Sequence, residues 1–198
     1  MIYGSIQQLF PKTVYITDNV LLEKLDIYET EIKKIINTEG TASNGMLSVQ
    51  STHKVDDQLH TKEEFADLVT YVLAASRHFL IELGYTKILG NIKIANMWAN
   101  ISYENDFIFP HVHGNSLLSG AFYIKKYPNS KLCFFNNIES IFLDPDIQNE
   151  LNYACYEYDC NPGRLMLWKS DFLHGTKKQD AGEKIVISFN IVAKTADN

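Results

Sequence analysis

The sequence predicts an α+β protein, with helices confined to the first half of the chain and a β-rich second half. Apolar residues recur at helical spacing twice before residue 84. They are Leu21, Leu22, Leu25, Tyr28, Ile32, Ile35 and Ile36, then Phe65, Leu68, Val69, Val72, Phe79, Leu80 and Leu83. Beyond Gly84 this spacing gives way to short apolar or alternating runs, separated by turn clusters such as Asp144-Pro145-Asp146 and Asn161-Pro162-Gly163. No internal repeat, low-complexity tract or linker interrupts the 198 residues. The helices are therefore expected to pack on one face of a sandwich or barrel-like sheet assembly. The expected partition is one domain, 1–198, with a helical support region at 1–90 and a β core at 91–198.

Taken in order, Ile2-Tyr3, Ile6 and Thr13-Val14-Tyr15-Ile16-Thr17 read as strand material interrupted by Pro11. Asp18-Asn19 ends this stretch and offers side chains to cap the first helix, with Gly40 as its stop. Residues 41–60 are polar and turn-rich, with Asn44-Gly45 as a turn signal. Thr61 with Glu64 matches a capping box for the second helix, which Gly84 closes. Its His78 reads as a helix-surface or core-edge residue. Strands are expected at 92–102, 119–125, 131–135, 154–158, 164–168 and 184–192.

Composition narrows the function classes. Apolar residues make up 45% and charged residues 21% of the chain, the balance of a globular protein and not of a disordered one. A net charge of -6 disfavours a nucleic-acid partner, which usually meets a basic surface. No apolar stretch approaches a membrane span, and the amino terminus lacks the basic and then apolar pattern of a secretory signal, so a cytoplasmic protein is expected. Cys133, Cys155 and Cys160 include no Cys-x-x-Cys and read as reduced thiols.

The chemistry concentrates in Phe109-Pro110-His111-Val112-His113. On extended backbone, residues i and i+2 face the same way, so His111 and His113 would present both imidazoles on one side, as a chelate does. His174, in Ser170-Asp171-Phe172-Leu173-His174, is the best-placed third ligand. Counting by two along the last strand places Lys184, Val186, Ser188 and Asn190 on one face. If that face is interior, the buried ammonium needs an anionic partner, which a dicarboxylate would provide.

This order of motifs resembles the 2-oxoglutarate and Fe(II)-dependent oxygenase superfamily, and within it the branch found in bacteria and tailed phages, with a more distant similarity to prolyl hydroxylases. The resemblance rests on Trp98-Ala99-Asn100-Ile101, on His111-Val112-His113 followed by Leu118-Ser119-Gly120-Ala121-Phe122-Tyr123-Ile124, on Pro162 to Trp168 leading to His174, and on Glu183 to Asn190. It implies a double-stranded β-helix, or jelly-roll, core, and its phage members extend the cytoplasmic expectation to a phage-encoded protein in its host's cytosol. It makes His111 and His174 iron ligands and Lys184 the anchor of the distal carboxylate of 2-oxoglutarate. Tyr123 and Ser188 are implied as further co-substrate contacts. One departure stands out: the superfamily's usual carboxylate ligand, two residues after the first histidine, is here His113. The expectation is that His113 completes the site, with Asp106 or Asp171 as alternative ligands or as partners of an imidazole N–H.

The implied activity is hydroxylation of a primary substrate the sequence does not identify, with release of succinate and carbon dioxide. Two other readings compete. A cupin-like three-histidine protein would use zinc, nickel or manganese without 2-oxoglutarate, although Leu117 and Leu118 stand where a cupin places its glutamate. A jelly-roll binding module would keep its histidines for structure alone.

Overall fold

A computed structural model describes residues 4–39, 49–136 and 145–193. Gly40, Asn44-Gly45 and Asp144 lie outside the described residues. Strand β1 (Val14–Thr17) leads to helix α1 (Leu25–Glu39), and the short β2 (Gln50–Ser51) to helix α2 (Ala66–Glu82). The strands β3 (Ile92–Ser102), β4 (Ile108–His111), β5 (Leu118–Lys125), β6 (Lys131–Phe135), β7 (Cys155–Asp159), β8 (Leu165–Lys169), β9 (His174–Thr176) and β10 (Lys184–Ala193) follow. They form two antiparallel sheets, a six-stranded one in the order β1-β8-β5-β10-β3-β2 and a four-stranded one in the order β4-β9-β6-β7. This is the expected α+β layout with a jelly-roll core.

Two hydrophobic clusters divide the large sheet between its faces. Along β10, Ile185, Ile187, Phe189 and Ile191 point toward α1 and α2, where they join Tyr28, Ile32, Leu68, Val72 and Phe79. The alternate residues Lys184, Val186 and Ser188 point between the sheets. Ala121, Tyr123, Met166, Trp168 and Val186 of the large sheet meet Leu132 and Phe134 of the small one there. A sheet covered on both faces reads as near-continuous apolar sequence, so alternation along β10 groups the residues of each face without telling which face looks inward.

The strand β3 switches parity along its length. Ile92 and Ile94 face the helices, and so do Met97, Ala99 and Ile101. Asn96 pairs with Asn190 and Ile94 with Ile191, so Ala95 is an extra residue on β3. Such a bulge turns every later side chain to the opposite face. It delivers Trp98 and Asn100 to the space between the sheets.

Several local expectations change. Ile6 lies in irregular, exposed chain, not in a strand. Neither helix carries the side-chain cap read from the sequence. Asp18 instead pairs with Arg164, through Nε–Oδ1 and Nη2–Oδ2 contacts of 2.7 and 2.9 Å. Helix α1 is entered through a 3-10 turn, Leu22–Lys24, whose preceding Leu21 is left-handed and makes no capping bond. Before α2, Thr61 ends a 3-10 turn, Leu59–Thr61, and its Oγ1 donates to the Gln58 carbonyl at 2.9 Å, and a further 3-10 turn, Glu63–Phe65, intervenes. Gly84 does close α2, at φ +83°, the left-handed geometry glycine adopts without penalty. The three cysteines are free thiols, as expected.

Candidate metal and co-substrate site

Two of the shortest strands carry two of the three histidines. His111 ends β4, and its register partner on β9 is His174. The pairing leaves β4 irregular between Ile108 and His111. Gly175 permits this, because a Cβ there would stand 2.7 Å from the Ile108 carbonyl oxygen and 3.0 Å from the Pro110 nitrogen. His113 lies just beyond β4, where its backbone N–H donates to the Ser170 carbonyl at 2.8 Å. The three rings converge, with centroids 4.4 Å apart for His111 and His174, 5.0 Å for His111 and His113, and 5.1 Å for His113 and His174.

Each imidazole is oriented through its Nδ1. That atom faces the Phe109 carbonyl at 2.8 Å in His111 and the Phe172 carbonyl at 2.8 Å in His174. In His113 it faces Asn190 Oδ1 at 2.7 Å. An acceptor at Nδ1 fixes the Nδ1–H tautomer and leaves the Nε2 lone pair free. Asn190 is itself held: its Oδ1 also accepts from Ser119 Oγ at 2.8 Å, and its amide donates to Asn96 at 2.9 Å. The Nε2 of His113 is buried without a hydrogen-bond partner among the described residues. Burial, reinforced by the neighbouring His111, pushes the pKa of His113 down to about 4 and that of His174 down to about 3. Both rings are thus neutral, the form a metal requires, at neutral pH.

One ligand atom from each histidine lies within 4.8 Å of the others, and no carboxylate of the described residues joins the group. Asp106 is engaged in a turn of its own, accepting from the Tyr103 N–H at 2.8 Å. Asp171 is exposed and lies in a different surface depression, beside Lys12 and Tyr85. A convergent set of three imidazole nitrogens, one of them orphaned, fits a divalent metal.

From the histidines a cavity runs between the sheets to Lys184, past Trp98, Asn100, Trp168, Tyr123 and Ser188. Lys184 is 1% exposed, and burial lowers its pKa. Among the described residues no carboxylate is hydrogen-bonded to its ammonium. The preceding residue behaves oppositely. Glu183 joins Lys33, Lys125 and Glu29 in a closed ring of four ion pairs, of 2.6 to 2.9 Å, on the helix side of the sheet. The Tyr123 hydroxyl lies near Cys160 and is kept protonated by burial. Asn100 reaches Ser188 Oγ at 3.4 Å, and its buried Oδ1 has no partner. The orphaned Trp168 Nε1 is a further polar atom of this wall.

Residues 96–190 match the family model described as "Putative 2OG-Fe(II) oxygenase". This segment, which holds His111, His113, His174 and Lys184, is that of a 2-oxoglutarate and Fe(II)-dependent oxygenase. Fe(II) is the metal and 2-oxoglutarate the co-substrate that this family's description names. Solved structures share its fold at low identity. A prolyl-4-hydroxylase of Pseudomonas putida is 12% identical, with a TM-score of 0.65, over 93% of this chain and 94% of its own. A collagen prolyl hydroxylase of Paramecium Bursaria Chlorella virus-1, in complex with 2-oxoglutarate, is 11% identical, with a TM-score of 0.62, over 90% and 94%. HygX of Streptomyces hygroscopicus, solved with nickel and 2-oxoglutarate, is 9% identical, with a TM-score of 0.62, over 91% and 82%. Comparison with curated protein sequences finds no significant match. Among the described residues no helix is long and apolar enough to cross a membrane.

The structure brings His111, His113, His174, Lys184, Tyr123 and Ser188 to one cavity and leaves Asp106 and Asp171 off the histidine cluster. Sequence reading assigned no role to Asn190, Asn100 or Ser119. A signal for Asn190 was present, since counting by two along β10 already set it on the face of Lys184 and Ser188.

Proposed function

We propose that this oxygenase is of the hydroxylase type, with His111, His113 and His174 holding Fe(II) and Lys184 holding the distal carboxylate of 2-oxoglutarate. The observation that carries this reading is the cavity with three free imidazole nitrogens at one end and a buried, unpaired ammonium at the other. When bound, the iron and co-substrate supply the oxidative chemistry, in which 2-oxoglutarate and dioxygen give succinate and carbon dioxide and a C–H bond of the primary substrate gains a hydroxyl. The chain's own residues bind and orient. Lys184 offers a point charge, the protonated Tyr123 hydroxyl and Ser188 Oγ offer hydrogen bonds to the same carboxylate, and Trp168, Leu132 and Val186 keep that end dry.

In this reading His113 takes the place of the usual carboxylate, leaving the ligand set one negative charge short, which favours a dianionic co-substrate. Residues 1–198 act as one domain, a reading supported by the packing of both α1 and α2 on the six-stranded sheet. A metal-only cupin activity would leave the buried ammonium without a purpose. Anaerobic titration of the Fe(II) protein with 2-oxoglutarate is expected to raise a metal-to-ligand charge-transfer band. An iron-loaded protein that gives no band would overturn the assignment, and a product without added oxygen would overturn the hydroxylase type.

A further inference from the structure

Outside the histidine cluster the cavity opens into a surface groove lined by His53, Trp98, Phe109, Val112, Asn115 and Ser116, with Asn96 and Asn190 at its base. None of its lining residues is Asp, Glu, Lys or Arg, although 21% of the chain is charged. His53 is the residue of this wall that stands outside the family-matched segment, 96–190.

The position of His53 is built. Ser51 pairs with Asn100 across β2 and β3, and the next residue, Thr52, locks to Ala99. Its N–H donates to the Ala99 carbonyl at 3.0 Å, while the Ala99 N–H donates to Thr52 Oγ1 at 3.1 Å. The His53 N–H then donates to Ser51 Oγ at 3.2 Å. The chain so pinned lays the His53 ring edge-on to the Trp98 indole, with centroids 4.6 Å apart and planes at 66°. Trp98 in turn lies 6.0 Å from the His113 ring, at 22°.

The three clustered histidines each have Nδ1 tied to the protein. By contrast, neither ring nitrogen of His53 has a hydrogen-bond partner among the described residues. The side chains of Asn115 and Ser116 make no hydrogen bond among these residues either. A half-buried ring fixed in place, with both polar atoms unspent and facing a groove, is arranged to bond something that enters it. A substrate that brought a phosphate or carboxylate against this apolar and amide wall would lose hydration with no side-chain charge to offset it. Hydroxyl and amide groups exchange their hydrogen bonds there at little cost.

We propose, on the oxygenase reading above, that the groove takes an uncharged, hydrogen-bonding primary substrate and that His53 is a specificity residue contacting it through a ring nitrogen. The test uses protein loaded anaerobically with Fe(II) and 2-oxoglutarate, so that nothing turns over. Both tryptophans of the chain line the cavity, and intrinsic fluorescence therefore reports occupancy. The probes are matched pairs: adenosine with adenosine monophosphate, glucose with glucose 6-phosphate, and an end-capped alanine tripeptide with its glutamate-bearing counterpart.

The uncharged member of at least one pair is expected to bind more tightly than its partner. His53→Ala should weaken that binding roughly 2- to 10-fold, the worth of one hydrogen bond, and His53→Gln should recover most of it. The inference is overturned if no uncharged probe binds more tightly than its charged partner, or if His53→Ala leaves every affinity unchanged. The charge-transfer band of His53→Ala with 2-oxoglutarate should match that of the unaltered protein. A missing band in the unaltered protein would instead strike the metal and co-substrate assignment, and this inference with it.

Discussion

At the histidine end of the cavity every imidazole is tied through Nδ1 to a carbonyl or amide oxygen, and Asn190 is tied in turn by Ser119 and Asn96. At the lysine end an ammonium 1% exposed has no anionic partner of that kind among the described residues. The first end is prepared by the protein alone; the second is complete only with a ligand. Neutral groups can be preorganised cheaply because their hydrogen bonds replace those made to water. A buried charge cannot be satisfied in advance by a carboxylate without closing the place that the co-substrate should take. The ring formed by Glu183, Lys33, Lys125 and Glu29 shows that this fold pairs charges fully where no ligand is due.

The sharpest way to break this contrast is to disable each end separately. His174→Ala should lose more than about 100-fold in Fe(II) affinity, beyond the range typical of lost outer partners. Lys184→Ala should keep its iron and lose about 30-fold or more in 2-oxoglutarate affinity, the cost of removing one member of a buried charge pair. Metal analysis after dialysis and the charge-transfer titration read the two losses independently. Equal loss of both ligands in either variant would remove the division of labour.

A smaller effect tests the preparation itself. Asn190→Ala leaves all three ligands in place but frees the His113 ring, and should weaken Fe(II) binding by about 10-fold. Iron affinity measured by competition with a chelator checks this, and an unchanged value would mean that His113 needs no such support.

The smallest effect concerns stability without ligands. Burial lowers the pKa of Lys184, so the folded chain gives up that proton more readily than the unfolded one. The resulting penalty is absent above the ordinary lysine value, about 10.4, and grows as pH falls through the lowered folded value. Lys184→Met should therefore stabilise the ligand-free protein at neutral pH by about 1 kcal/mol, the low end of what replacing buried charge by apolar side chains gives, and flatten this slope. Added 2-oxoglutarate should raise the stability of the iron-loaded original protein and not that of the variant. Urea denaturation at pH 7 and at alkaline pH measures both.

Much of this was legible in the chain because long elements announce themselves. The two helical stripes and the 11-residue β3 emerged where expected. The strands that carry His111 and His174, four and three residues long, did not, since so short a run shows no periodicity. The cap signals at Asp18 and Thr61 misled for a related reason. Their side chains had competing partners, Arg164 and the Gln58 carbonyl, and for Asp18 that partner lies 146 residues away. Asp106 and Asp171 were plausible ligands by proximity in sequence, and it is the fold that turns both away from the cluster.

The sequence by itself determined the ingredients: the His-x-His pair, the third histidine, and a lysine whose place in the alternation of β10 set it beside Val186, Ser188 and Asn190. Alternation is local, so a chain can state it. Only the tertiary structure decided that this face looks inward, that one extra residue in β3 brings Trp98 and Asn100 to it, and that His53 closes the groove from outside the jelly-roll strands. Those outcomes depend on which strands pair and in what register, and pairing is settled by packing between segments far apart in the chain.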